Sequence, residues 1–219
     1  MIILDLCGGT GAWSKPYNEA GFETEIITLP CYDVTKVDLD DYSLEFKRMD
    51  VHYNDSKTVM IDEIYGILAA PPCTEFSLAK GARKRDLDSA MKVVKACLNI
   101  IWWCRLKGNL KFWALENPRG LLRQFLGVPH FTFEHWQFGD AGIKPTDIWG
   151  YFNSPVSTTK ERPEGLKVKY KDQHSHGRLM ACPKCPEEYK HLNLDRAAIR
   201  AITPPGFAQA FYKANKKVI

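Results

Sequence analysis

Gly66-Ile67-Leu68-Ala69-Ala70-Pro71-Pro72-Cys73-Thr74-Glu75-Phe76-Ser77 is the stretch that decides the fold. The short apolar run from Tyr65 to Ala69 predicts a buried strand. Pro71 and Pro72 end it, because neither has an N–H to offer a ladder. Cys73 follows at once, on the loop leaving the strand's carboxyl end. In open α/β sheets that is where ligands and reacting groups sit. A thiol held there by two stiff residues is a candidate nucleophile. A buried structural cysteine is the other reading, since free Cys is among the most buried residue types.

Two further stretches converge on the same edge of such a sheet. Residues 2–14, Ile-Ile-Leu-Asp-Leu-Cys-Gly-Gly-Thr-Gly-Ala-Trp-Ser, read as strand, glycine loop and helix start. Asp5 falls at the strand's end, and Gly9 and Gly11 allow close backbone approach to a ligand. The dinucleotide fingerprint is not met, because Ser14 stands at the third glycine position. An acid before the loop points away from a phosphate ligand and toward a cationic or amino-bearing one; a plain tight turn is the alternative. Residues 112–119 read as another apolar strand that ends in Glu116-Asn117-Pro118. A glutamate closing a buried strand is costly unless it has partners or work to do. A helix N-cap or a surface acid is the alternative there.

Between these points the chain alternates. Residues 15–20 predict a short helix with Gly21 as its C-cap, and residues 22–29 predict a second strand. Asp33 is the nearest acid past that strand and the candidate for a ribose contact. Residues 34–60 are polar and read as a hairpin-like insertion. The run Lys80-Gly81-Ala82-Arg83-Lys84-Arg85 is a basic loop just after Cys73, able to meet a phosphate backbone or simply to be solvated. Residues 87–105 carry apolar positions at helical spacing. Residues 131–136 and 144–152 predict strands, and 195–202 and 205–213 predict short helices.

The 219 residues suit one domain with a small lobe, and 45% hydrophobic content is enough for a full core. No apolar run is long enough for a transmembrane helix, so no membrane partner is expected. The chain enters a strand within its first residues, so an intracellular protein is expected. Seven scattered cysteines argue against a disulfide framework. A net charge of +4 permits nucleic-acid binding without requiring it. Residues 153–192 lack periodicity but hold His176, Cys182, Cys185 and His191, a pattern able to hold a structural zinc; a reduced cysteine pair in a turn is the alternative.

Taken in order, these pieces resemble the DNA cytosine-C5 methyltransferase family, especially its compact phage and bacterial members. Asp5-Leu6-Cys7-Gly8-Gly9-Thr10-Gly11 with Trp13 resembles the S-adenosylmethionine loop. Pro71-Pro72-Cys73 with Ser77 resembles the catalytic Pro-Cys motif, and Glu116-Asn117-Pro118 the Glu-Asn motif. Residues 138–150 loosely resemble the Gln-x-Arg-x-Arg segment, with Lys144 and Thr146 near the places of its arginines. Lysine keeps the charge there but not the bidentate geometry. Thr203-Pro204-Pro205 with its helix resembles the C-terminal segment that packs on the cofactor lobe. The resemblance covers nearly all of the chain except residues 34–60 and 153–192.

The resemblance implies an α/β fold, a Rossmann-like S-adenosylmethionine-dependent methyltransferase sheet with a small irregular recognition lobe. Residues 1–152 would form the catalytic domain, 153–192 the recognition lobe, and 193–219 a segment returning to the catalytic domain. S-adenosylmethionine would be held by Asp5, Leu6, Gly9, Gly11, Trp13, Asp33 and Pro71. Cys73 would attack C6 of a cytosine flipped out of double-stranded DNA, with Glu116 at its N3 and amine and Lys144 near its O2. Pro72, Ser77, Lys80, Arg83, Arg85, Asn117 and Thr146 would contact the substrate. A monomer in the cytoplasm of a bacterial host is expected. Two rivals stay open: a cytosine-modifying enzyme acting on RNA, free nucleotide or another one-carbon donor, and a non-catalytic nucleic-acid-binding protein.

Overall fold

The computed structural model describes residues 1–49, 55–140, 143–163 and 185–217. In chain order its elements are β1 (Ile2–Leu6), α1 (Lys15–Glu19), β2 (Glu23–Ile27), β3 (Tyr32–Leu39), β4 (Ser43–Arg48), β5 (Ser56–Met60) and β6 (Ile64–Ala69). They continue as α2 (Leu87–Lys107), β7 (Phe112–Pro118), α3 (Arg123–Leu126), β8 (Phe131–Phe133), β9 (Thr146–Tyr151), α4 (Arg196–Ala201) and α5 (Pro205–Asn215). The fold is α/β. Its main sheet has six strands in the order β2-β1-β6-β7-β9-β8. The first four run parallel, while β9 is antiparallel to both β7 and β8. The mixed sheet is compatible with a Rossmann-like fold.

The strand sequences explain the layering. Side chains alternate across a strand, and β1 is buried along its whole length. Ile2, Leu4 and Leu6 face one cluster with Ile67, Ala69, Leu115 and the α2 residues Val94, Cys97, Ile100, Ile101 and Cys104. Ile3 faces the other, with Leu68, Phe112, Ala114, Trp13, Tyr17, Phe207 and Phe211. Both faces are therefore covered, as a parallel sheet requires. α2 starts at Asp86, whose carboxylate caps the Ser89 N–H, and it ends at Gly108.

The insertion is larger than a hairpin. β3, β4 and β5 form a separate three-stranded antiparallel sheet. Its apolar side, Val34, Leu44, Phe46 and Val59, joins the α2 cluster. Beyond β8, residues 135–138 leave the predicted strand for a tight 3-10 turn, closed by reciprocal Glu134 and Gln137 bonds.

α5 closes the second face. Trp13 meets Phe211 edge-on at 5.3 Å, and Phe133 stacks on Phe207 at 3.9 Å. At the start of α5, a Cβ on Gly206 would lie 1.8 Å from the Phe138 carbonyl oxygen. This contact seats the α4–α5 corner against the 135–138 turn. Gly206→Ala is expected to cost about 1–3 kcal/mol by overpacking, read as a lower urea midpoint at unchanged slope.

Candidate active site

The strand order sets the site. From β1 the chain moves outward to β2, then returns to β6 on the opposite side of β1. The gap between the carboxyl ends of β1 and β6 is thus a topological switch point, where open α/β sheets bind ligands. The glycine loop leaves β1 there, and Pro71-Pro72-Cys73 leaves β6 beside it. β7 lies next, with Leu115 opposite Ala69, so Glu116 stands at the same edge. The antiparallel β9 begins at that edge too, with Thr146 opposite Pro118. Cys73, Glu116, Lys144 and Thr146 are therefore brought together from three stretches.

The glycine loop is built over Asp5. Its carboxylate is fully buried; Oδ2 accepts the Ser14 hydroxyl at 2.6 Å, and Oδ1 has no partner. A Cβ on Gly8 would fall 2.4 Å from this carboxyl, so only glycine lets the loop cross it. Burial pushes the Asp5 carboxyl up to about 6, partly offset by Ser14. At neutral pH the loop thus encloses an ionised acid with a spare oxygen, which fits a ligand bearing a cationic group. Gly9 is exposed at the loop's crown and Gly11 is buried beside Ile26, both at positive φ.

The other cofactor candidates divide. Leu6 is buried, and its carbonyl accepts the Ala70 N–H at 2.9 Å, tying the two loops together. Pro71 is buried beside that junction. Trp13 is a core residue at 2% exposure, enclosed by Phe207 and Phe211, because its large ring fills the space under α5. Its predicted place against a cofactor is therefore corrected. Asp33 is half-buried, but its carboxylate accepts both the N–H and the hydroxyl of Thr35, a local turn bond.

Cys73 is half-buried after the exposed Pro72. Its carbonyl accepts the N–H groups of Phe76 and Ser77, which winds the loop into a turn. Burial pushes the thiol up; Lys144 pulls it down, Glu116 raises it, and Arg200 lowers it. The Glu116 carboxyl is also pushed up by burial, opposed by Lys144 and reinforced by Asp147. These mutual effects describe one cluster: a thiol, a carboxyl that favours its proton, and two cations.

Asn117, expected to touch substrate, is fully buried and donates from Nδ2 to the Pro71 carbonyl at 2.9 Å. It clamps the β7 end to the Pro-Pro turn, so it positions Cys73 from behind. The basic loop is corrected in part as well. Lys80 pairs with Glu75, and Arg85 donates to the carbonyls of Glu75, Ser77 and Gly81. Glu75 also accepts the Asp86 N–H at 2.7 Å. Lys80 and Arg85 are thus spent on holding the loop, while Arg83 and Lys84 are left exposed. The Ser77 hydroxyl accepts the Ala79 N–H as the cap of the 78–80 turn.

A pocket beside this cluster is lined by Glu116, His135, Lys144, Thr146, Thr203 and Phe207, among others. Thr146 is buried and donates to the Lys144 carbonyl, and Lys144 Nζ donates to the Arg200 carbonyl at 3.2 Å. His135 and Arg200 had no motif to announce them. Neither did Asp147, fully buried in β9 beside β8 and gripped by Nε and Nη2 of Arg123, each at 2.6 Å. Glu188 pairs with Lys15, so the 187–192 turn returns to the start of α1, just past the glycine loop.

For the metal reading, Cys182 and His176 lie outside the described residues. Cys185 is half-buried and His191 exposed, and among the described residues no group of three or more metal-ligating side chains occurs. Among the described residues no helix is long and apolar enough to cross a membrane. No protein-family model and no curated protein matches the chain.

The raised Asp5 carboxyl has a thermodynamic consequence. An acid whose pKa is higher folded than unfolded favours folding fully below the unfolded value and loses that favour as pH rises through the folded one. Asp5 is expected to withdraw about 3 kcal/mol of stability between pH 4 and pH 7. Asp5→Asn keeps an acceptor for Ser14 and removes the titration. Urea midpoints across this range are expected to fall for the parent relative to the variant; parallel profiles would remove Asp5 from the account.

Proposed function

We propose that the protein transfers a methyl group from S-adenosylmethionine to C5 of a cytosine in DNA, by way of a covalent bond between Cys73 and C6 of a flipped base. The observation that carries this reading is the joint placement of Cys73, Glu116 and Lys144 at the edge where β6 and β7 end and β9 begins. The glycine loop at the switch point, with Asp5 beneath it, fits a cationic cofactor. That cofactor would supply an electrophilic methyl carbon, and Asp5, Gly9 and Gly11 would hold it.

The chain's own residues do the rest. Cytosine C5 is a poor nucleophile until a thiolate adds at C6, and only the thiolate reacts. Lys144 and Arg200 favour that thiolate, and a protonated Glu116 removes the carboxylate charge that opposes it. The same protonated carboxyl can donate to cytosine N3 while its carbonyl oxygen accepts from the amine. As Cys73 adds, N3 gains basicity and takes the Glu116 proton, so the carboxyl becomes charged only after the thiolate charge is gone. Once C5 carries the methyl group, a base takes the C5 proton, Cys73 leaves as the thiolate, and N3 returns its proton to Glu116, which restores the aromatic ring.

The exposed cations around the cluster, Arg83, Lys84 and Arg200, favour a polyanionic substrate over a free base. A base inside a duplex must leave the stack to reach Cys73. Cytosine in RNA or a free nucleotide remains the second reading, favoured by the shortness of the 153–192 lobe, which limits readout of a DNA groove.

The test is transfer of labelled methyl groups to duplex DNA, single-stranded DNA and RNA of matched sequence. Label is expected in 5-methylcytosine of duplex DNA. Cys73→Ala is expected to abolish transfer while leaving cofactor affinity intact. Glu116→Gln is expected to slow it by about 100-fold or more, within the range for a lost acid–base group. Full activity in Cys73→Ala would overturn the mechanism, and label in RNA alone would establish the second reading.

A further inference from the structure

The side of α2 that faces away from the core carries one sign of charge. Residues 89–115 include Lys92, Lys95, Arg105, Lys107 and Lys111 and no acid. Asp86 and Asp88 stand at the helix start, where the helix dipole favours them. Lys92, Lys95, Asn99, Trp102 and Leu106 recur at three- and four-residue steps, so they share one ridge, and all are exposed. Val94, Cys97, Ile101 and Cys104, on the opposite side of the helix, line the core.

One flank of the ridge is occupied. Trp103 Nε1 donates to the Asp40 carbonyl at 2.7 Å, and Lys107 pairs with Asp41, both in the turn between β3 and β4. The other flank is open. Trp102 is 57% exposed and Leu106 75%, and the Trp102 ring centroid lies 6.2 Å from that of Trp113 on β7. Tyr151, opposite Trp113 on β9, is 59% exposed, with the Arg105 guanidinium 5.2 Å from its ring centroid. These residues form one patch at the amino edge of β7, away from Cys73. Exposed apolar side chains gathered in one place mark an interaction surface.

The charge selects the partner. A second copy, related by a two-fold axis, would set the same cations against themselves. A nucleic-acid strand offers phosphates to the cations and flat bases to the rings. Duplex bases are already stacked on one another, whereas unpaired bases can stack on exposed aromatic rings. From Lys92 to Trp102 the ridge runs about 15 Å, room for several nucleotides. We propose that this ridge and patch form a second nucleic-acid contact that takes an unpaired strand, with Lys92, Lys95 and Arg105 on its phosphates and Trp102 and Tyr151 against its bases. The contact lies apart from Cys73 and does not rest on the reaction proposed there.

The test uses the full-length protein with short thymidine-only DNA and uridine-only RNA strands, which hold no cytosine to be methylated. Fluorescence anisotropy reads affinity, and photocrosslinking of 5-iodouracil-substituted strands with peptide mass spectrometry reads location. Crosslinks are expected at Trp102 or Tyr151. Trp102→Ala is expected to weaken binding ~5- to 100-fold, and Trp102→Phe, which keeps a ring, to stay near the parent. Lys92→Gln with Lys95→Gln is expected to lower the slope of log affinity against log salt by about 1.4. Binding of either strand through Trp102 supports the proposal, and the tighter one identifies DNA or RNA. No binding of either strand, crosslinks confined to other residues, or unchanged affinity in Trp102→Ala would overturn it. So would a parent dimer that Trp102→Ala splits, which would give the patch to a second copy. A protein that methylates DNA but binds neither strand would keep the reaction and refute this contact. Binding through Trp102 without any methyl transfer would keep the contact and refute the reaction.

Discussion

The parallel pairing of β6 with β7 is the constraint on which the site depends. It sets Ala69 against Leu115, so two apolar strands release their polar ends at one edge. One hydrogen bond then fixes how the ends meet, from Asn117 Nδ2 to the Pro71 carbonyl. With both partners buried, breaking it would strand a carbonyl in a dry environment at a cost of roughly 1–3 kcal/mol. Cys73 and Glu116 are thus held relative to each other by backbone pairing and a side-chain clamp. The loop after Cys73 is not asked to place them.

Electrostatics builds on this frame. Cys73 and Glu116 are both pushed toward their protonated forms by burial, and Lys144 opposes the shift in each. A thiol and a carboxyl that each favour the proton, beside one shared cation, can exchange charge without both being ionised at once. The loop over residues 74–85 contributes differently. Glu75 gathers Lys80, Arg85 and the Asp86 N–H, leaving Arg83 and Lys84 outward. The internal pair carries structure, and the outward pair is left exposed to solvent.

Much of this was legible in the sequence, for physical reasons. Fully buried strands such as β1 and β6 are apolar runs bounded by glycine or proline, so they announce themselves. β3 does not: its inward Val34 and Val37 sit among Asp, Thr and Lys, and the sheet it joins is partly exposed. The Pro-Pro-Cys and Glu-Asn-Pro stretches could be placed at one edge because strand ends in a parallel sheet share an edge. His135 and Arg200 could not, since the antiparallel β8–β9 pairing brings His135 to the pocket and the α4–α5 corner brings the Arg200 carbonyl to Lys144. Trp13 was misplaced because an aromatic after a glycine loop serves a core as well as a ligand. The loop bonds of Lys80 and Arg85 were not legible either, because a charge run does not name its partner, here Glu75 upstream.

The central claim is a covalent bond between Cys73 and C6 of cytosine. Fluorine at C5 takes the place of the proton that must be lost, and so would trap the thiol on the base. Incubation with S-adenosylmethionine and duplex DNA carrying 5-fluorocytosine, followed by denaturation, proteolysis and mass spectrometry, reads the bond directly. The account predicts a stable adduct on the peptide bearing Cys73, absent from Cys73→Ala. A protein that methylates cytosine yet forms no adduct at Cys73, or forms it on another residue, would contradict it.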